Sequence, residues 1–377
     1  ELPYRNVISW SALIAGYAEH EECHKTFNCV EQMRSEGLAP DAVTFTAMLK
    51  ACGRTRSIDK GREIHIEIVN KGLLGKDTIL GNALMDMYAK CGELAKAREV
   101  LYELPARDIF SWNALIAGYV QHGQSENALN CYQQMQNDHI SPDVVSFICI
   151  LKACGLVQAV DKGKEVHQEI IGKGLLEKHA VLGNALVDMY AKCGALMKAQ
   201  QILCELPVQD VVSWNALISG YVLRGRGEEA LNCFEQMRSH GLSPDAITFI
   251  CILNVCGSLR ALEKGKKIHD EIVEKRLLEQ HIALGNALLD MYAKCGVLTK
   301  AQQILDELLV RDVVAWNALI TGYAEQEKGE YALLCFERMQ NDGLCPDVTT
   351  FTCILKACGS LRAIEKGKQV HNEIIHK

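Results

Sequence analysis

One phrase constrains this chain more than any other feature. DVVSWNALISGYV occupies residues 210–222, DIFSWNALIAGYV stands at 108–120, and DVVAWNALITGYA at 312–324. A diverged copy, NVISWSALIAGYA, fills 6–18. The tryptophans Trp10, Trp112, Trp214 and Trp316 are each 102 residues apart. GNAL returns at 81, 183 and 285 on the same interval, as does a histidine at His65, His167, His269 and His371. Self-similarity of this kind means modules that stack on one another, not one irregular core.

Each period divides into three related units. Units of 35 residues cover 7–41, 109–143, 211–245 and 313–347 and end in Pro-Asp. Units of 36 residues cover 42–77, 144–179 and 246–281, with a partial copy at 348–377, and carry a Cys-Gly and the histidine. Units of 31 residues cover 78–108, 180–210 and 282–312 and end in Asp. ELPYRN at 1–6 matches ELPARD and ELPVQD, so it reads as the tail of a preceding 31-residue unit. Both ends fall inside repeats, which fits an excised segment or capping by a neighbour, and the near identity of the copies fits recent duplication or design.

Each unit predicts two helices. In 211–245, Leu217, Ile218 and Tyr221 share one face at helical spacing. Gly225 and Gly227 predict a break, and Ala230, Leu231, Phe234 and Met237 resume the period until Gly241 and Pro244. A lone two-helix hairpin cannot bury both of its apolar faces, whereas stacked neighbours can. The expected fold is therefore all-α: an α-solenoid superhelix of stacked helix-turn-helix hairpins with a concave groove. No strand period and no linker interrupts it, so 1–377 reads as a single array.

Composition sets limits on function. Apolar residues make up 49% and charged residues 23%, the balance of a folding, water-compatible chain. No apolar run approaches the roughly 18 residues of a membrane helix, and the first residues have no signal-peptide layout. The net charge of -7 argues against nucleic-acid binding by overall charge, although a local groove can differ from the whole. The 17 cysteines recur in fixed contexts, KACG and AKCG, and read as small buried packing residues with free thiols in a reducing compartment.

The units resemble pentatricopeptide repeats (PPR) of the PLS class found in plant organelles, in which P, L and S motifs alternate. SWNALI, EEALNCFEQM and GLSPD carry the likeness in the 35-residue, P-like units. TFICIL and ALEKGKKIHDEIV carry it in the 36-residue, L-like units. GNALLDMYAKCG, AQQILDEL and RD carry it in the 31-residue, S-like units. The resemblance covers almost the whole chain. It implies sequence-specific binding of single-stranded RNA in a mitochondrion or chloroplast, in the service of C-to-U RNA editing or RNA processing. It implies no enzymatic role for the repeats and no cofactor. Possible partners are multiple organellar RNA editing factor proteins, docking through L motifs, and a separate deaminase domain or protein.

Repeat readers of this kind use one repeat per base with two or three side chains each. By resemblance, the fifth and last residues of a unit are the discriminating pair. These are Ser11 with Asp41, Asn113 with Asp143, Asn215 with Asp245 and Asn317 with Asp347 in the P-like units. In the S-like units they are Asn82 with Asp108, Asn184 with Asp210 and Asn286 with Asp312. Asn-Asp implies uracil, then cytosine; Ser-Asp leans toward a purine. An amide offers donor and acceptor to a pyrimidine edge, and the carboxylate orients it directly or through water. The L-like units break the pattern with Thr46 and Asp77, Ile148 and His179, and Ile250 and His281. Isoleucine cannot hydrogen-bond a base, so these units space or tune. With the protein N-terminus on the RNA 5′ end, the expected target is G-x-UU-x-UU-x-UU.

A second reading stands beside each assignment. Asn near a helix start and Asp after Pro are also capping and turn residues. The second residues Ile8, Ile79, Phe110, Val181, Val212, Ala283 and Val314 either sandwich bases or pack in the core. Lys90, Lys192 and Lys294 either meet phosphate or are simply solvated. As a whole, the array also suits a tetratricopeptide-like scaffold that binds a peptide or helix. The H-x-E triplets that begin at His65, His167, His269 and His371 are half of a zinc-deaminase signature, but the P-C-x-x-C half is missing. Cys149/Cys154, Cys251/Cys256 and Cys353/Cys358 are spaced poorly for a metal. No metal site is expected.

Overall fold

The computed structural model describes residues 5–20, 22–74 and 77–376; most of the ELPYRN tail lies outside the described residues. Among those described, the chain forms 22 α-helices and no strand. It divides into two compact units, Glu1–Pro207 and Val208–Lys377.

The first unit holds six hairpins: α1 (Val7–Glu19) with α2 (Cys23–Ser35), α3 (Ala42–Thr55) with α4 (Ile58–Asn70), α5 (Thr78–Lys90) with α6 (Leu94–Glu103), α7 (Ile109–Gln121) with α8 (Ser125–Asn137), α9 (Val144–Val157) with α10 (Val160–Gly172), and α11 (Ala180–Lys192) with α12 (Leu196–Glu205). The second holds five: α13 (Val211–Leu223) with α14 (Gly227–Ser239), α15 (Ala246–Ser258) with α16 (Leu262–Glu274), α17 (Ile282–Lys294) with α18 (Leu298–Glu307), α19 (Val313–Glu325) with α20 (Gly329–Asn341), and α21 (Val348–Leu361) with α22 (Ile364–His376). The first helix of every hairpin begins on the first residue of a sequence unit.

Within each compact unit the odd-numbered helices pack in line, each against the next. Each even-numbered helix rests on its own partner and, where another hairpin follows in that unit, on the next odd-numbered helix. The result is two layers whose shared core repeats with the sequence. Leu115, Ile116 and Trp112 on α7 are buried, as are their counterparts Leu217, Ile218 and Trp214 on α13. Burying one such leucine stabilises by roughly 1.5–3 kcal/mol relative to leaving it exposed. The hairpins therefore depend on their neighbours for most of their stability.

Two glycines show how closely the layers approach. A Cβ on Gly163 of α10 would lie 2.5 Å from Met189 Sδ on α11, and one on Gly265 would meet Met291 at the same distance. A side chain there would force the methionine to shift. Gly227 does not break a helix, as the sequence suggested, but opens α14. A Cβ there would lie 3.1 Å from Val255 Cγ1 and 3.2 Å from Leu259 Cδ1, so the position is tight rather than flexible. Gly225, at φ +68°, makes the actual turn.

The KACG cysteines are core residues, as their context suggested. Cys52, Cys154 and Cys358 are buried, as is Cys256 in the matching NVCG. Burial pushes the Cys52 and Cys154 thiols up to about 12, where they are poor nucleophiles and poor ligands. Three of the H-x-E histidines are inter-helix bridges. His65, His167 and His269 on the second helices of L-like units hydrogen-bond through Nδ1 to Tyr88, Tyr190 and Tyr292 on the next helix, at 2.8, 3.1 and 2.9 Å. No cluster of His, Cys, Asp and Glu suited to a metal occurs among the described residues.

Candidate nucleic-acid interface

The site begins at the helix starts. A helix leaves its first N–H groups without partners, and an Asp just before it can accept from them. Asp143 is the N-cap of α9 and accepts from Ser146 N–H at 2.9 Å. Asp41, Asp108, Asp210, Asp245, Asp312 and Asp347 cap α3, α7, α13, α15, α19 and α21 in the same way. The capping reading of these aspartates is therefore correct.

Capping does not exhaust them. The same capping oxygen also accepts from the fifth residue of the preceding first helix, and at some junctions the second oxygen does too. Asn113 Nδ2 donates to Asp143 at 3.0 Å and Asn215 Nδ2 to Asp245 at 3.0 Å. Asn317 Nδ2 reaches both oxygens of Asp347 at 3.0 Å. In the S-like units Asn82 Nδ2 stands 3.2 Å from both oxygens of Asp108. Asn286 Nδ2 stands 3.1 and 2.9 Å from those of Asp312. Ser11 substitutes a hydroxyl, which donates to Asp41 at 2.9 Å. Asn184 stands on α11 in the first compact unit, and Asp210 caps α13 in the second. So the paired residues named from sequence meet in space wherever both lie in one compact unit.

The L-like units carry no such pair. The Thr46 hydroxyl donates back to Ala42 C=O in its own helix, at 2.9 Å. Ile148 and Ile250 have nothing to donate. Asp77 caps α5 with bonds from Ile79 and Leu80 N–H at 2.9 and 3.2 Å, but His179 and His281 make no side-chain cap.

The pairing sets the electrostatics. Burial raises the Asp143 carboxyl, but hydrogen bonds from Ser146 N–H and the Asn113 amide outweigh it and hold the group below its ordinary value. Asp245 is lowered by the same balance, with Thr248 N–H and the Asn215 amide as donors. Both carboxylates are therefore acceptors at neutral pH, and the asparagine facing each must present its NH2.

The amides are nearly covered: Asn113 and Asn215 are 7% exposed and Asn286 is 8%. The second residues are the opposite. Ile8 is 76% exposed, Ile79 71% and Phe110 69%, and Val181, Val212, Ala283 and Val314 are exposed as well. These side chains do not pack in the core. Val43, Val145 and Ile247, the second residues of L-like units, are exposed too. That row was missed from sequence, although its signal, an apolar residue one place after each helix start, is plain.

In the second compact unit the pieces line one open groove of about 880 Å³. Asn286, Asp312, Val314, Asn317 and Asp347 border it, with Lys294 at its edge. Lys294 pairs with Asp290 at 2.7 Å; Lys90 and Lys192 pair with Asp86 and Asp188 at 2.6 Å. Each lysine charge is offset by a carboxylate one turn back.

Sequence reasoning also missed a hydroxyl. Ser146, Thr248 and Thr350, each third in its helix, donate to the Oδ1 of Asn113, Asn215 and Asn317 at 2.6 Å. Asp followed three residues later by Ser or Thr is a capping pattern legible in the chain.

Comparison with known proteins supplies the context. A family model described as PPR repeat family matches residues 5–54, 107–155, 209–258 and 311–360. One described as PPR repeat matches 43–73, 82–109, 184–211 and 286–313. A pentatricopeptide repeat-containing protein of Arabidopsis thaliana is 34% identical over 377 residues, covering 100% of this chain and 54% of its own. A mitochondrial one from the same plant is 34% identical over 376 residues, covering 100% of this chain and 36% of its own. A chloroplastic one is 34% identical over 368 residues, covering 97% and 45%. The chain thus spans about half the length, or less, of these curated relatives. Among solved structures, the pentatricopeptide repeat protein PPR10 from maize superposes with a TM-score of 0.75 at 20% identity, over 99% of this chain and 54% of that one. PPR10 in complex with an 18-nt psaJ RNA element gives 0.77 at 20% identity, over 97% and 55%.

Proposed function

The chain belongs to the pentatricopeptide repeat family, and from that premise we propose that it binds single-stranded RNA by sequence. Each P-like or S-like unit takes one base, uracil before cytosine, and the L-like units act as spacers. The array is the target-recognition part of C-to-U RNA editing or RNA processing in a mitochondrion or chloroplast. The chemistry comes from another domain or protein, such as a deaminase, and editing-factor proteins dock on the L-like units.

The observation that carries the reading is the pre-formed amide–carboxylate pair. It recurs in units whose flanking sequences differ, SWNAL and GNAL, and is missing from the units between them. Capping alone requires Asp but gives no reason for an asparagine across the gap. One N–H of each amide is spent on the carboxylate, which leaves the other for a pyrimidine oxygen, with the Asp reached directly or through water. The exposed second residues supply apolar surfaces for the faces of the bases. That PPR10 has been crystallised with an RNA element supports the same direction for this fold. So do the mitochondrial and chloroplastic names of relatives, for the compartment.

Lys90, Lys192 and Lys294 meet phosphates at the groove edge, exchanging their carboxylate partners for the backbone. The acidic net charge favours the rival reading, a tetratricopeptide-like scaffold for a peptide or helix. Binding of oligo-U, oligo-C, oligo-A and oligo-G at two salt concentrations separates them. Preference for oligo-U, weakened by salt and lost in an Asn215→Ser, Asn286→Ser double variant, supports RNA reading. Equal weak binding of all four supports the scaffold.

A further inference from the structure

The P-like and S-like units carry the same Asn-Asp pair but hold it differently. In P-like units the amide is fixed at both ends. Asp245 draws the Nδ2 of Asn215, and the Thr248 hydroxyl, 2.6 Å away, satisfies its Oδ1. Ser146 and Thr350 do the same for Asn113 and Asn317. All three hydroxyl residues are fully buried. A carboxylate only accepts, so the NH2 must face it and the carbonyl must face the hydroxyl. The orientation is therefore dictated by chemistry.

In S-like units the corresponding hydroxyl turns away. Ser111 donates to the Asp108 backbone C=O at 2.7 Å and accepts from Asp108 N–H at 2.9 Å. At the next such junction in the second compact unit the position is Ala315, which has no hydroxyl. The Oδ1 atoms of Asn82 and Asn286 are accordingly buried with no partner. A buried acceptor without a donor is costly, and among the described residues no group holds these amides by the oxygen.

We propose that Ser146, Thr248 and Thr350 are positioning residues for base discrimination, making P-like units more stringent readers than S-like units with the same pair. This rests on the RNA-reading function proposed above. With its oxygen already engaged, a P-like asparagine offers the base only an N–H, and so selects a base that presents an acceptor. An S-like asparagine, held only through its NH2, aims that N–H less firmly and so discriminates less.

The test compares variants that lose the same cap but differ at the amide. Thr248→Val removes the hydroxyl at constant shape, Thr248→Ser restores it, and Ser111→Ala removes a hydroxyl that caps α7 without touching Asn82. Binding is measured with RNAs substituted singly at the nucleotides facing Asn215 and Asn82. Thr248→Val should lose discrimination at the Asn215 nucleotide by about three- to tenfold, the worth of one hydrogen bond. Thr248→Ser should retain it. Ser111→Ala should lower the melting temperature yet leave discrimination at the Asn82 nucleotide unchanged. Unchanged discrimination in Thr248→Val, or an equal loss in Ser111→Ala, overturns the proposal.

A second readout needs no RNA and decides the matter even if the wild-type chain shows no base preference. With 15N-labelled asparagine, exchange between the two Nδ2 protons should be slower for Asn215 than for Asn286. Thr248→Val should bring Asn215 to the Asn286 rate. An unchanged Asn215 rate overturns the positioning role, whereas a changed rate without base preference in the wild type faults only the RNA reading.

Discussion

The Asn286 amide nitrogen stands 3.1 and 2.9 Å from the two carboxylate oxygens of Asp312, a residue that also caps the next helix through Ala315 N–H at 2.8 Å. One carboxylate thus fixes the start of a helix and the orientation of a side chain on the helix before it. The amide and the helix start share an atom, Asp312 Oδ1, which holds the pair without a ligand. Four consequences can be measured.

The exposed second residues should matter to binding and not to folding. Val212 is 59% exposed and Val314 60%. Val212→Ala removes apolar surface worth about 1 kcal/mol if a base covers it, so RNA affinity should fall roughly fivefold. Stability should stay within about 0.5 kcal/mol, as for other surface changes. Paired filter-binding and urea-denaturation measurements check the split. A loss of stability with unchanged affinity would return these residues to a packing role.

Acid should destabilise the array in two stages. Burial, with Lys96, Lys198 and Lys300 nearby, lowers the pKa of His65, His167 and His269 in the folded chain. The unfolded chain takes up those protons at about pH 6.5. Their contribution is therefore whole above that pH and lost as pH falls toward the folded values. Asp143 and Asp245 are also held low, so theirs is whole above about pH 4 and lost as pH falls further. Melting temperature should be level near neutrality, decline below about pH 6.5, and decline again below about pH 4. His167→Phe should flatten the first decline. A melting temperature that rises from pH 7 to pH 5 contradicts this assignment.

The uncapped L-to-S junctions should be improvable. His281 precedes α17 without a side-chain cap, where Asp77 caps α5 with two bonds. His281→Asp should stabilise by about 1 kcal/mol, read as a higher urea midpoint with an unchanged slope. No gain would mean that the backbone at His281 does not admit the cap geometry seen at Asp77.

Much of this was legible in the residues. The 102-residue period gave the hairpins, because a repeating pattern must repeat its burial, and the first helices start on the unit boundaries. The Asn-Asp pairs were named through resemblance, and no spacing rule would have joined Asn113 to Asp143, 30 residues away. The two roles of the third-residue hydroxyl were hidden for a physical reason. Asp-x-x-Ser occurs at 108–111 and at 143–146, yet Ser111 turns to its own cap while Ser146 reaches Asn113. What differs is the unit before it. The S-like second helix α6 has 10 residues and ends on an extended Leu104, while α8 has 13, so the following helix enters differently. Local sequence does not encode a contact set by the length of the preceding hairpin.

The central claim is that P-like and S-like units read bases and L-like units do not. Its most direct test is a scan of G-x-UU-x-UU-x-UU, replacing each nucleotide in turn with adenine and measuring Kd at fixed salt. The account predicts weaker binding at every position facing an Asn-Asp pair and no change at the positions marked x. Equal losses at all positions, or none anywhere, would contradict it.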